Sequence, residues 1–195
     1  MNTLQAKKLR EVKRDNFYYL MRDILSCFPD KFERNFLSVI NHHLIAKEAT
    51  RQILMDEVKV SKPNYRILAG SLILQNAFLR QMQRVALYEV IDVVPALKYC
   101  FCDSSFKTVK RISAQVILRL FVTLYFEYIV MPLKRKEGKS YLDKFKKYFS
   151  KNDMINVINA NDFHSRFIFE NHGVEIGYGE ERNPKLKEIL NKYYT

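Results

Sequence analysis

The sequence predicts an all-α fold of antiparallel helix pairs, on three observations. Turn-forming residues are sparse: the 195-residue chain holds 5 glycines and 5 prolines, while Leu, Ile, Lys, Arg and Glu, which tolerate helices well, are plentiful. Apolar residues recur at spacings of three and four, the period of one helix face. Ser104 to Met131 (SSFKTVKRISAQVILRLFVTLYFEYIVM) is long, apolar on most of its circumference, and bracketed by Asp103 and Pro132. Such a segment is a helix buried among neighbours.

The elements follow in order. Thr3 to Phe28 reads as one helix, basic at first (Lys7, Lys8, Arg10, Lys13, Arg14), then apolar at Phe17, Leu20, Met21, Ile24, Leu25 and Phe28. Pro29-Asp30 breaks it and starts a second helix over Phe32 to Leu44; so short a connection predicts a helical hairpin. Lys47 to Val60 carries a thin stripe (Ile53, Leu54, Val58) and reads as a short helix or helical loop. Ser61-Lys62-Pro63-Asn64 is a turn. Tyr65 to Arg80 is helical despite Gly70, which costs about 1 kcal/mol relative to Ala and fits a close helix crossing. Arg84 to Val94 continues apolar, Pro95 restarts the chain, and Ala96 to Cys102 forms a short helix. Asp103, Ser104 or Ser105 then caps the central helix, and Pro132 ends it. Arg119 and Glu127 interrupt the roughly 20 apolar residues a membrane span requires, so no membrane span is expected.

Character changes after Pro132. Leu133 to Lys151 holds Lys134, Arg135, Lys136, Lys139, Lys144, Lys146, Lys147 and Lys151 against Glu137 and Asp143. Gly138 reads as a loop and Ser140 as the cap of a helix with Tyr141, Phe145, Tyr148 and Phe149 on one face. Asn152 to Asp162 is Asn-rich and marginally helical; Phe163 to Phe169 is aromatic. Asn171 to Arg182 carries Gly173, Gly177 and Gly179 and reads as a loop with a short extended piece, Val174-Glu175-Ile176. Asn183-Pro184 opens a last helix with Pro at its first position. Its stripe of Leu186, Ile189 and Leu190 has no evident cover in the sequence, which predicts either a fragment or a partner for that stripe. The expected division is therefore 1–132, a helical segment, and 133–195, a basic helical extension with a glycine-containing loop and a terminal helix.

An apolar fraction of 48% supports a real core. The net charge of +12 either serves solubility alone or attracts polyanions such as RNA, an acidic protein or an anionic membrane. Cys27, Cys100 and Cys102 are odd in number, irregular in spacing and set among apolar residues; they predict free thiols and a reducing compartment, cytoplasm or nucleus. The N-terminus has no apolar core of a secretory signal. His42 and His43 are adjacent, hence on different sides of a helix, and no metal site is expected from them. Asp162-Phe163-His164-Ser165 gathers catalytic residue types, but triads assemble from separate segments. With no P-loop, G-x-G-x-x-G or G-x-S-x-G in the chain, no catalytic residue, metal or small-molecule cofactor is assigned.

Pro95-x-Leu97, Cys100-Phe101, Asp103, Val109-Lys110, Ser113 and Val116-Ile117 together resemble a HEAT repeat. The Asp103-to-Val109 spacing is one residue longer than the usual pattern, and Lys110 stands for the commoner Arg. The resemblance implies an irregular HEAT-like α-solenoid of antiparallel pairs, with 1–132 as its body. Asn16 to Glu127, through NFYYLMRDILSCFPDKF and ALKYCFCDSSFKTVKRISAQVILRLF, with NDFHSRFIFEN beyond it, also resembles the helical region of large eukaryotic tRNA guanosine 2′-O-methyltransferases of the SpoU (SPOUT) class. That resemblance implies a non-catalytic segment binding tRNA. The expected contact is electrostatic, through Lys134, Arg135, Lys136, Lys139, Lys144, Lys146 and Lys147, whose charges would neutralise phosphates. The aromatics of the same block either stack on bases or, as their helical spacing favours, enter the core. The alternative is a HEAT-like scaffold that binds an acidic protein.

Overall fold

In the computed structural model the described residues are 16–28, 44–81, 91–125, 135–161, 168–169, 174–175 and 179–195. Among the described residues the regular elements are helices apart from one antiparallel pair of two-residue strands, so the fold is all-α. The chain divides into two compact units, Met1–Phe78 and Leu79–Thr195. The sequence-based division after residue 132 marks a change of charge character and falls inside the second unit.

In the first unit, helix α1 (residues 16–26), α2 (Leu44–Glu57) and α3 (Tyr65–Gln81, whose last turn passes into the second unit) surround one apolar cluster. Met21 and Leu25 of α1, Ala46, Ala49 and Ile53 of α2, and Ile67, Leu74 and Phe78 of α3 form it. The spacings of three, four and seven put each set on one face. Leu20, expected in the α1 stripe, is 53% exposed instead. Lys47 to Val60, read as a helix or helical loop, is a regular helix as far as Glu57. The turn expected at Ser61–Asn64 is present. Asn64 Oδ1 accepts the Arg66 and Ile67 backbone N–H groups at 2.9 and 3.4 Å, capping α3. Glu57, almost fully buried, ties the ends together. Its Oε1 accepts the Asn64 N–H at 2.6 Å, and its Oε2 pairs with Arg22 at 2.7 Å. Arg66 donates to the Phe28 carbonyl at 3.0 Å.

The second unit is arranged around α5 (Lys107–Tyr125), the helix expected to be central. It packs against α4 (Val94–Cys102), α6 (Arg135–Tyr148), α7 (Lys151–Ala160) and α8 (Gly179–Tyr193). Four neighbours explain why its apolar character runs all round: every residue from Leu120 to Tyr125 is buried. A single 3-10 turn, Ile91–Val93, leads into α4, which takes Pro95 in its first turn. Asp103 does not open α5. Its N–H bonds back to the Tyr99 carbonyl at 2.8 Å and closes α4. Ser104 Oγ instead accepts the Phe106 N–H at 3.2 Å, so its hydroxyl shapes the turn and α5 starts three residues later.

Three further expectations give way. Helix α6 runs through both Gly138 and Ser140, so neither a loop nor a cap lies there. One glycine among helix formers costs about 1 kcal/mol, and burial of Phe145 and Phe149 holds the helix regardless. Helix α7 is fully formed because Ser150 and Asp153 make a capping box. Helix α8 begins at Gly179 and contains Pro184 in its interior. Its stripe is not bare: Leu186, Ile189, Leu190 and Tyr193 are all buried within the protein. The expected extended piece is present, with Val174–Glu175 pairing antiparallel to Ile168–Phe169. The predicted helices at Phe32–Leu44 and Arg84–Val94 lie largely or wholly outside the described residues. No described helix is long and apolar enough to cross a membrane.

Candidate nucleic-acid interface

The basic block resolves into two populations of lysine. Helix α6 turns Phe145 inward, and Phe149 follows on the same face; both are fully buried. Phe145 stacks on Phe149 at 5.0 Å and on Phe121 of α5 at 5.8 Å. Tyr141 and Tyr148 are half-buried flanks. Phe145 and Phe149 therefore belong to the core, as their spacing favoured, the two tyrosines lie beside it, and the described cations of the block (Lys144, Lys146, Lys147 and Lys151) come off other sides.

Some of those cations are engaged by the fold. Lys144 donates to Asp92 at 2.6 Å. Lys146 sits 4.7 Å above the Tyr193 ring and 5.5 Å from that of Tyr194, the distance range of cation–π attraction. Those tyrosines reach α6 from the end of α8. The Tyr193 hydroxyl donates to the Leu142 carbonyl at 3.2 Å and the Tyr194 hydroxyl to the Phe149 carbonyl at 2.5 Å. Burial pushes both phenols well above their ordinary range. Lys147 and Lys151 are different: both are exposed, and neither has an ion-pair or ring partner among the described residues. Arg135, Lys136 and Lys139 lie in α6; their side chains, and the whole of Lys134, lie outside the described residues.

Helix α7 continues this surface. Met154, Val157 and Ile158 are buried, while Lys151, Asn152, Ile155, Asn156 and Asn159 are exposed on other sides. The helix is fastened at both ends. Lys98 of α4 pairs with Asp153 at 2.9 Å and lies 5.4 Å above the Phe149 ring. Burial opposes the Lys98 charge, but the Asp153 carboxylate and the nearby Cys102 outweigh it and raise its pKa. Burial likewise pushes Asp153 up, yet hydrogen bonds from Lys98 and Ser150 hold it below the usual carboxylate value. At the far end the Asn161 amide donates to the Ala114 carbonyl of α5 at 3.2 Å and to Val157 at 2.7 Å. Sequence reasoning missed the Ser150–Asp153 box, although Ser-x-x-Asp before Met154, Val157 and Ile158 was the available signal.

The other chemical candidates carry less. No cluster of three metal-ligating side chains occurs among the described residues. His42, His43, His164 and His172, and with them the Asp162–Ser165 group, lie outside those residues. The cysteines are free thiols. Cys100 is buried, and burial pushes its pKa to about 12, whereas Cys102 is exposed rather than sunk among apolar neighbours. In comparisons with known proteins, no family model, no curated sequence and no solved structure matches the chain.

Proposed function

We propose that the second unit binds RNA electrostatically along the outward side of α6 and the start of α7, as a non-catalytic helical part of a tRNA methyltransferase-like protein. One observation carries this reading: the block's aromatic rings are in or beside the core, while Lys147 and Lys151 stand exposed without carboxylate partners among the described residues. A surface that offers ammonium groups without rings favours phosphates over stacked bases. Binding is then sequence-indifferent and steeply salt-dependent. Lys136 and Lys139 belong to the same helix and extend its charge. The α4–α5 pair, joined by a tight turn, fits the HEAT-like unit that the sequence resembles, and stacking of such pairs into an irregular solenoid is part of the proposal. Free thiols fit the reducing cytoplasm or nucleus.

The test is tRNA binding by the full chain over a salt series, for wild type and for Lys136→Gln/Lys139→Gln/Lys147→Gln/Lys151→Gln. Lys144 and Lys146 stay intact because the fold uses them. The expected result is at least a tenfold loss of affinity, with a salt slope shallower by about one for each phosphate contact removed. A wild-type chain that ignores tRNA at low salt overturns the reading. Retention of an acidic polypeptide under those conditions would then favour the scaffold alternative.

A further inference from the structure

We infer that the outward face of α7 is an RNA-reading surface, which lies in the shallow minor groove of an A-form duplex and contacts ribose 2′-hydroxyls through Asn152, Asn156 and Asn159. This inference rests on the RNA reading of the basic block and gives that surface a ligand form.

The three asparagines are spaced four and three apart, so they form one stripe opposite the buried Met154, Val157 and Ile158. All three are exposed, and none makes a hydrogen bond to a described residue. Ile155, 40% exposed, stands among them. Asparagine is a poor helix former whose usual benefit is a cap or a turn bond. Here Ser150 already caps the start of α7 and Asn161 closes its end. The stripe therefore costs helix stability and gains no hydrogen bond from the described residues. Unrewarded local choices of this kind mark functional surfaces.

The chemistry selects the ligand. A carboxamide both donates and accepts, as does a ribose 2′-hydroxyl, whereas lysine only donates. In an A-form duplex the wide, shallow minor groove displays those hydroxyls, and the deep major groove is closed to side chains. The stripe runs roughly 10 Å along the axis, with Ile155 available to rest on sugar carbons. Lys151 heads the helix and Lys147 precedes it by one short turn. They supply phosphate contacts at one end of the stripe. Acidic side chains are absent from the stripe itself, so nothing on it repels the backbone.

The experiment compares an RNA duplex of about 16 base pairs, a DNA duplex of the same sequence and the single RNA strand, each binding to the full chain. The variant is Asn152→Ala/Asn156→Ala/Asn159→Ala. Alanine favours the helix, and circular dichroism confirms that α7 is retained. Wild type is expected to prefer the RNA duplex by tenfold or more over DNA. The variant is expected to lose that preference while keeping the salt slope, because its lysines are untouched. A variant that keeps the preference, or a wild type that binds both duplexes alike or favours the single strand, overturns the groove assignment and leaves the electrostatic reading standing. A wild type that binds no nucleic acid at low salt overturns both.

Discussion

Replacing Tyr193 by alanine should destabilise the second unit strongly, because this side chain anchors α8 to the rest of the core. Tyr193 is 2% exposed. Its ring meets Phe121 edge-on at 4.7 Å and lies 6.4 Å from Phe145. Truncating a buried aromatic costs about 3–5 kcal/mol. The hydroxyl's bond to the Leu142 carbonyl contributes about 1 kcal/mol of that, and the Lys146 cation over the ring contributes ~0.5–1 kcal/mol. Tyr193→Phe keeps the ring and isolates the hydroxyl. The expected losses are thus about 4 kcal/mol for alanine and about 1 kcal/mol for phenylalanine. In a unit of this size each kcal/mol moves Tm by roughly 4 °C, so alanine lowers it by about 15 °C and phenylalanine by about 4 °C. Thermal and urea melts followed by far-UV circular dichroism measure both, since the chain has no tryptophan. An alanine variant within about 1 kcal/mol of wild type would refute the docking of α8. Its Leu186–Ile189–Leu190 stripe would then need a cover from elsewhere.

Other consequences are measurable with the same tools. Glu57→Gln should cost about 1–3 kcal/mol in a urea melt, less than breaking a fully buried ion pair because Arg22 is one-third exposed. No change would mean the pair does not organise the first unit. Asp153 has a depressed pKa in the fold, so its contribution is complete above the unfolded carboxylate value near 4 and disappears as pH falls through the folded one. Asp153→Ala should therefore destabilise at about pH 7, by about 1 kcal/mol through the lost cap alone, and much less at about pH 2; an equal loss at both would exclude the charge. Alkylation at about pH 8 should modify exposed Cys102 and spare Cys100, which is buried and protonated up to about pH 12. Rapid loss of both thiols would contradict the packing of α4.

The parts of the fold legible in the sequence are those fixed by periodicity over many residues. The Val109–Leu124 run announced a central helix because its apolar residues exceed one face, and four neighbours cover it. The Tyr65 and Ala96 helices were readable for the same reason. Local punctuation was less reliable, since one residue type serves two purposes. Asp103 can cap a helix start or close a preceding one, and only the Tyr99 carbonyl within reach decides for closure. Gly138 and Gly179 read as loop residues and Pro184 as a helix start, yet α6 runs through Gly138, and α8 opens at Gly179 and runs through Pro184. Burial of Phe145, and of Leu186, Ile189 and Leu190, against other helices outweighs a local propensity cost of about one to three kcal/mol.

A run of like charges behaves by the same rule. Along the sequence, Lys144, Lys146 and Lys147 are indistinguishable. In space a 100° step per residue gives them three different fates: Lys144 meets Asp92, Lys146 meets two tyrosine rings from α8, and Lys147 meets solvent. Deleting all six cations at Lys134–Lys136 and Lys144–Lys147 would remove two fold contacts together with the polyanion surface, and lost binding would then say nothing about RNA. Separating the lysines by what they touch turns a statement about net charge into one about particular atoms. The same separation brings out the asparagines of α7. Uncharged residues on the outside of a strongly basic protein draw no notice in a charge count, yet on α7 they are exposed polar groups that make no hydrogen bond to a described residue.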